Sequence, residues 1–211
     1  MSTLLVPNSS LRVRRSALRV RNAAGNIVSH QVLRVWMAVV IATATVLLTL
    51  VAAPPPASAA YCGLTWGSLA KSHSRMVTGP ITNVRAGRHT CYDRLVIDLG
   101  NTRTGYLVRY VTNVREQGSG AVIPLRGGAK LEIIVRAPAY DSNGNGTYHP
   151  TNSDELRNVS GYRTFRQIAW GGSFEGQSTI GLGVRARLPF RVFTIDDGAT
   201  SRMIVDVAHA W

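Results

Sequence analysis

Acidic residues are scarce in this chain: 11 Asp and Glu stand against 24 Lys and Arg, a formal net charge of +13 over 211 residues. Lysine is almost absent too, with only Lys71 and Lys130, so arginine carries nearly all the positive charge. There are two cysteines, which excludes a multi-cysteine zinc or disulfide scaffold. No H-E-x-x-H pair or close histidine pair is present, and His73, His89, His149 and His209 are scattered, so a zinc hydrolase centre is not indicated. No G-x-S-x-G elbow occurs either, since Ser173 lacks the second glycine. The most apolar run, residues 37–53, is 17 residues long and falls short of the roughly 20 that a membrane-spanning helix needs.

That run belongs to a recognisable leader. The first 36 residues hold six arginines (Arg12, Arg14, Arg15, Arg19, Arg21, Arg34) and no acid, the apolar run follows, and Pro54-Pro55-Pro56-Ala57-Ser58-Ala59 closes it. A basic region, an apolar core and small residues at the end are the parts of a secretory signal, with cleavage expected near Ala59 or Ala60. The alternative is an uncleaved N-terminal anchor; either way residues 61–211 face the exterior. The leader takes 6 of the 24 basic residues, leaving 18 against 11 acids and a net charge of +7. An exported basic domain is drawn to anionic walls or lipid headgroups. Nucleic acid is excluded as a partner by export and by the lack of a binding motif.

Both cysteines, Cys62 and Cys91, lie beyond the expected cut, and an even count in an exported domain implies one disulfide. The expected organisation is a secretory signal over 1–59, a disulfide-tethered segment over 60–80 and one domain over 81–211.

Strand and turn chemistry fills that domain. Residues 81–85, 94–99, 106–111, 130–136, 162–170, 178–184, 190–195 and 202–208 are rich in β-branched and aromatic side chains, and Gly, Asn and Asp clusters separate them. This predicts an all-β fold, an antiparallel β-sandwich with little helix, the best helical candidate being 64–72. One strand occurs twice, as Asp93-Arg94-Leu95-Val96-Ile97-Asp98-Leu99 and Ser201-Arg202-Met203-Ile204-Val205-Asp206-Val207, and each copy is placed to close a hairpin. This internal pseudo-repeat alternates apolar residues with a face carrying Arg and Asp four positions apart. Leu95, Ile97, Leu99, Met203, Val205 and Val207 are expected in the core with Leu131, Ile133 and Val135. The charges Arg94, Asp98, Arg202 and Asp206 then form exposed ion pairs or help to build a ligand face.

The repeated Arg-apolar-apolar-apolar-Asp-apolar strand resembles the signature of AMIN domains, the β-sandwich modules of bacterial N-acetylmuramoyl-alanine amidases and pilus secretins. The chain more specifically resembles AMIN-like secreted actinobacterial proteins. Val84-Arg85-Ala86-Gly87-Arg88-His89-Thr90-Cys91-Tyr92-Asp93-Arg94, Phe174-Glu175-Gly176, Pro189-Phe190-Arg191-Val192-Phe193 and Val205-Asp206-Val207-Ala208-His209 carry the likeness, over roughly residues 75 to 211. It implies a sandwich fold and an envelope location, with peptidoglycan binding by analogy and no catalytic residues.

The function expected is a noncatalytic envelope module that binds peptidoglycan or another anionic wall polymer, with no cofactor and no metal. Arg163, Arg166, Trp170, Glu175, Arg185, Arg187 and Arg191 are the candidate contacts, because guanidinium forks pair with carboxylate and phosphate and aromatic rings stack on sugars. Arg185 and Arg187 alternate with Val184 and Ala186 and are expected to share a face. Trp66, Tyr106, Tyr110, Tyr162, Phe165, Phe174 and Trp211 supply further rings. Asp141-Ser142-Asn143-Gly144-Asn145-Gly146 matches the front of a calcium loop, but the twelfth position is Asn152 and a single carboxylate remains, so an Asx/Gly turn is expected. Two alternatives stand beside the wall module. One is an interaction partner for another exported protein through a strand edge. The other is a sortase-like cysteine transpeptidase using Cys91 with Arg94 or Arg103 and a histidine, which needs a free thiolate.

Overall fold

The structure is a computed structural model that describes residues 61–100, 103–198 and 200–211; the leader and its expected cleavage site lie outside the described residues. Two antiparallel sheets face each other across one apolar core. The first sheet holds β1 (Lys71–His73), β4 (Tyr106–Val111), β7 (Ala129–Val135), β9 (Gln177–Val184) and β8 (Phe165–Phe174), ordered β1-β4-β7-β9-β8. The second holds β10 (Phe190–Asp196), β11 (Thr200–Ala208), β3 (Tyr92–Gly100) and β2 (Ile81–Arg88), ordered β10-β11-β3-β2. A small hairpin, β5 (Val114–Arg115) with β6 (Val122–Ile123), forms a separate two-stranded sheet packed on β8 of the first. All eight expected strands are present.

The second sheet is built from the repeat. Each copy is the return strand of a hairpin, β2 with β3 and β10 with β11, and the two copies pair with each other at the centre. Their register places Arg94 opposite Asp206 and Asp98 opposite Arg202. A strand reading Arg-x-x-x-Asp, laid antiparallel on its own copy, sets Arg against Asp at both ends, so the sequence of the repeat selects this register. The same register keeps Leu95, Ile97 and Leu99 on the inner face with Met203, Val205 and Val207, all buried against Leu131, Ile133 and Val135 of the opposite sheet. Burying each such side chain is worth about 1.5–3 kcal/mol.

β9 is buried along nearly all its length because both its faces are covered. On the outer side the chain near Leu125 and Arg126 lies so close that a Cβ at Gly183 would come within 1.9 Å of the Arg126 carbonyl oxygen. Glycine there permits the backbone contact, and a second apolar cluster of Val114, Ile123 and Ala169 forms beside it.

The expected helix over 64–72 does not form. A single 3-10 turn, Tyr61–Gly63, precedes the segment, residues 64–70 are irregular, β1 begins at Lys71, and the Gly67 carbonyl accepts the Phe190 N–H at 3.1 Å. Leu69 is 76% exposed, so the stretch has no apolar stripe to bury as a helix. The strand expected from Tyr162 begins instead at Phe165, because the Tyr162 N–H closes a turn on the Val159 carbonyl. The long connection before it, residues 136–164, runs beside β8 and donates Leu156 N–H to Ile168 and accepts Trp170 N–H at Ser153, which shields part of that sheet edge.

Two ties fix the chain ends. Cys62 and Cys91 form the expected disulfide, with Cα atoms 6.1 Å apart. Asp93, fully buried, accepts the backbone N–H groups of Thr164 at 2.6 Å and Phe165 at 3.0 Å and pairs with His209 Nε2 at 3.1 Å. One carboxylate therefore joins the start of β3, the start of β8 and the C-terminal segment. Replacing both cysteines by serine should cost about 3 to 4 kcal/mol, as expected for a loop of 29 residues, read as a lower urea midpoint. Asp93→Ala strands two backbone donors and a histidine in the interior and should cost about 3 to 5 kcal/mol in the same titration.

Candidate functional site

The outer face of the second sheet carries three rows of side chains that the strand register lays across it. Arg191, Asp206, Arg94 and Gly87 form the first, Phe193, Ile204, Val96 and Arg85 the second, and Ile195, Arg202, Asp98 and Asn83 the third. A row apolar in its three inner positions and ended by Arg85 thus lies between two charged ones. The intrastrand partners expected for the repeat are too far along the strand to meet, and the ion pairs form across strands or within a turn. Arg85 pairs with Asp98 through two hydrogen bonds at 2.6 and 2.7 Å, and Arg202 turns to Asp197 in the hairpin loop at 3.0 Å.

The first row departs furthest from an exposed ion pair. Asp206 has a fully buried carboxylate. Arg94 binds it with both prongs, Nε to Oδ1 at 2.7 Å and Nη2 to Oδ2 at 2.8 Å, and Arg191 Nε reaches Oδ2 at 2.8 Å from the other side. The hydrogen bond to Asp206 holds the Arg94 guanidinium above its ordinary pKa against the opposing effect of burial. Two guanidinium groups share one carboxylate, which leaves the row one positive charge in excess.

Aromatic rings enclose that excess charge. The Arg191 guanidinium lies 4.5 Å from the Trp66 ring centroid, 4.9 Å from Phe193 and 5.6 Å from Tyr92. Trp66 and Tyr92 pack at 5.4 Å, and His89 stacks on Tyr92 at 4.6 Å. The rings fix the guanidinium plane and lend cation–π attraction. The Arg191 side chain is nevertheless 40% exposed, and among the described residues no hydrogen bond engages its two terminal nitrogens. An arginine with Nε anchored, its plane fixed and its fork turned outward is preorganised for an oxyanion. Trp66 reaches this place because the disulfide pins the start of its segment, while Gly67 on Phe190 and Ser68 on Arg187 hold the next residues.

The expected contact residues are spread over several places. Arg191 alone lies in the caged cluster. Arg185 donates to the His209 carbonyl, and Arg187 donates to Ser68 and lies 5.1 Å over the Tyr110 ring. Arg166 is occupied by the Tyr162, Arg163 and Phe165 carbonyls and lines a cleft of about 680 Å³ with Tyr162, Gly161 and Glu155. Trp170 packs edge-on against Tyr148 at 5.1 Å. Glu175 stands in the β8–β9 turn at φ 49°, at the far end of β8 from Arg166, about 30 Å along the strand. Trp66 was expected only as a ring, while Tyr92 and Phe193 were outside the expected contacts.

Asp141 is the acceptor of an Asx turn: its Oδ1 takes the N–H groups of Asn143 and Asn145 at 2.9 Å, and Oδ2 takes Asn145 Nδ2 at 3.1 Å. Those bonds, led by Asn145, hold its carboxyl below the usual range. Among the described residues, no three His, Cys, Asp or Glu side chains gather to hold a metal.

No match is found among curated proteins or among solved structures. The AMIN-like domain family model matches residues 79–209, from the start of β2 through His209, and so takes in both hairpins of the second sheet and the Arg94–Asp206–Arg191 row. With well over half of its residues matched, the chain belongs to the AMIN-like domain family.

Proposed function

We propose that this domain is a secreted, noncatalytic cell-wall module that holds an anionic wall polymer, peptidoglycan or an acidic glycopolymer attached to it, on the face around Arg191. The caged guanidinium carries the reading: a surplus charge anchored on buried Asp206, with an unengaged fork and sugar-sized aromatic surface beside it. Family membership, the leader-like first 59 residues and the disulfide support a place outside the cytoplasm. Cys91 is joined to Cys62, which favours a structural role over a nucleophilic one.

Such a face works by adding weak, directional contacts. A carboxylate or phosphate oxygen pair meets the Arg191 fork, a charge-assisted hydrogen bond worth about 1.5–3 kcal/mol, while a sugar face rests on Trp66 or Tyr92. Long-range attraction from the basic domain raises the encounter rate and weakens as salt is added.

Arg191→Gln tests this without dismantling the sheet, because Asp206 keeps both prongs of Arg94. Sedimentation with purified walls should weaken about tenfold while the melting temperature stays within the shift expected of a loss near 1 kcal/mol. An Arg185→Ala variant should sediment like the parent, since Arg185 donates to the His209 carbonyl away from the cage. If Arg191→Gln sediments like the parent and Arg185→Ala does not, the binding face is the one beside β9 and the assignment to Arg191 is wrong.

A further inference from the structure

Among the described residues, the two most exposed large apolar side chains lie at one end of the sandwich, where β4, β9 and β11 finish and β7 and β10 begin. They are Leu69, 76% exposed, and Trp211, 62% exposed. Both are anchored to one arginine. Arg187 donates from Nε and Nη2 to Ser68, the neighbour of Leu69, while Lys71 Nζ reaches the Gly67 and Leu69 carbonyls at 3.3 and 3.4 Å. Trp211 Nε1 donates to the Arg187 carbonyl at 3.0 Å, which satisfies the polar edge of the indole and leaves most of the ring in solvent. A lone exposed apolar residue is ordinary on a soluble domain. Here the fold instead pins two of them to the same cation and covers neither.

The charge beside them is positive. A cleft of about 380 Å³ lies across the end of the first sheet, where β4 stops at Val111 and β7 starts at Ala129, and Tyr110, Thr112, Gly128, Lys130 and Arg187 line it. Tyr110 packs against the core and Lys130 alternates with core residue Leu131, so they belong to opposite faces of the sheet and meet only over the strand ends. The partners of the nearby cations are neutral: Asn113 for Lys130 at 3.4 Å, Ser68 for Arg187 and the His209 carbonyl for Arg185. Among the described residues, no ion pair cancels any of the three. The other end of the sandwich, around the β8–β9 and β10–β11 turns, carries the acids Asp141, Glu175, Asp196 and Asp197. An anionic surface therefore attracts the Lys130–Arg187 end and repels the opposite one.

The described chain also begins at this end. Tyr61 lies 6.5 Å from the His209 ring, and Cys62 is bonded to Cys91 at the start of β3. The apolar run of the leader ends at residue 53, eight positions before Tyr61, a reach of at most about 28 Å of extended chain. While the leader is attached, a membrane that holds the run is within that distance of Leu69 and its neighbours' end of the domain.

We propose that this end of the domain docks on the surface of an anionic phospholipid bilayer, with Leu69 and Trp211 seated among the headgroups and a lipid phosphate taken up between Lys130 and Arg187. The inference goes beyond wall binding and does not rest on it, since Arg191 and its cage lie on the outer face of the second sheet. A dissolved phosphate polymer supplies charge but no apolar layer for Leu69 and Trp211, whereas the interface of a bilayer supplies both. Tryptophan suits that zone because its ring is apolar and its N–H polar, and basic side chains lay their stems along the apolar boundary while their charges reach the phosphates. The apolar area is small, so docking is peripheral, reversible and sensitive to salt.

The test is flotation of the exported protein with vesicles of phosphatidylcholine, either alone or mixed with phosphatidylglycerol. Parent and variants carry the same leader state, so ratios between them read the domain. The mixed vesicles should bind at least about tenfold more tightly than the neutral ones, and Lys130→Gln should lose about fivefold on them. A Leu69→Ser, Trp211→Ser double variant should lose about tenfold on the mixed vesicles while keeping the parent's melting temperature and wall sedimentation. Brominated lipid should quench tryptophan emission in the parent, and Trp211→Phe, which keeps a ring there, should lose that quenching. Equal binding to both vesicle types, or unchanged vesicle binding by the double variant, overturns the proposal. Quenching that persists in Trp211→Phe places insertion elsewhere and overturns it as well. If glycerol phosphate oligomers in solution bind as tightly as the vesicles and the double variant binds them like the parent, the ligand is a phosphate polymer and the bilayer assignment falls. Loss of wall sedimentation in Arg191→Gln bears only on the wall-binding face, so the two readings fail separately.

Discussion

The pairing of one strand with its own repeat is the constraint on which the rest depends. A strand with apolar residues at every second position has two ways to lie on a neighbour, and a slip of one residue would send Leu95, Ile97 and Leu99 to solvent. The charge pair at the Asp206 end penalises such a slip, since Arg94 then loses Asp206 and a carboxylate is left buried without its partner. Because β3 and β11 are the inner strands of their sheet, β2 and β10 inherit their positions through short hairpins. The position of Arg191 opposite Asp206 is therefore a consequence of the repeat, even though Arg191 lies outside it.

The two ends of that central pair behave differently. At the Asp98 end, Arg85 satisfies the carboxylate from β2 and Arg202 finds Asp197 in the loop, so charges balance one to one. At the Asp206 end, no second acid exists and two arginines share one carboxylate. The N-terminal segment lies over this unbalanced end. The disulfide brings the segment there, and Trp66 closes the third side of the arginine cage. Covalent tether, ion triad and aromatic cage occupy one place, so the element that looks like a simple stabiliser also shapes the site.

Much of the fold was legible in the sequence. Period-2 alternation placed the eight main strands and the inward residues, and an even cysteine count gave the disulfide. The failures have local causes. Residues 64–72 carry enough helix-compatible side chains to suggest a helix, yet the segment is held in place by Cys62, Gly67 and Ser68 instead of by an apolar face. The site was less legible because it is assembled by register. Sequence neighbours such as Arg163, Arg166, Trp170 and Glu175 lie along one strand and its approaches and are carried apart by it, whereas Trp66, Tyr92, Arg94, Phe193 and Arg191 come from separate segments. A usable signal was present: the Asp196-Asp197-Gly198 turn closes a hairpin in which Asp196 faces Ser201, and counting back from it puts Arg191 opposite Asp206.

A basic domain could be thought to bind anions through its net charge alone, but the arrangement argues for a located interaction. Four surface arginines are neutralised nearby: Arg85 by Asp98, Arg109 by Glu132, Arg126 by Glu155 and Arg202 by Asp197. Their fields are short-ranged dipoles that physiological salt screens within about 8 Å. Arg191 differs because the carboxylate that anchors it is already bound by Arg94, so its charge is held in place without being cancelled. Burial of Asp206 strengthens the anchor by removing water from that side, and the rings deny the guanidinium other orientations. An approaching oxyanion then meets a donor whose ordering has been settled by folding, and the entropy that a free surface arginine would lose on binding is largely absent. For that reason a single residue on a domain with many arginines can dominate recognition, and its position depends on the match between two copies of one short strand.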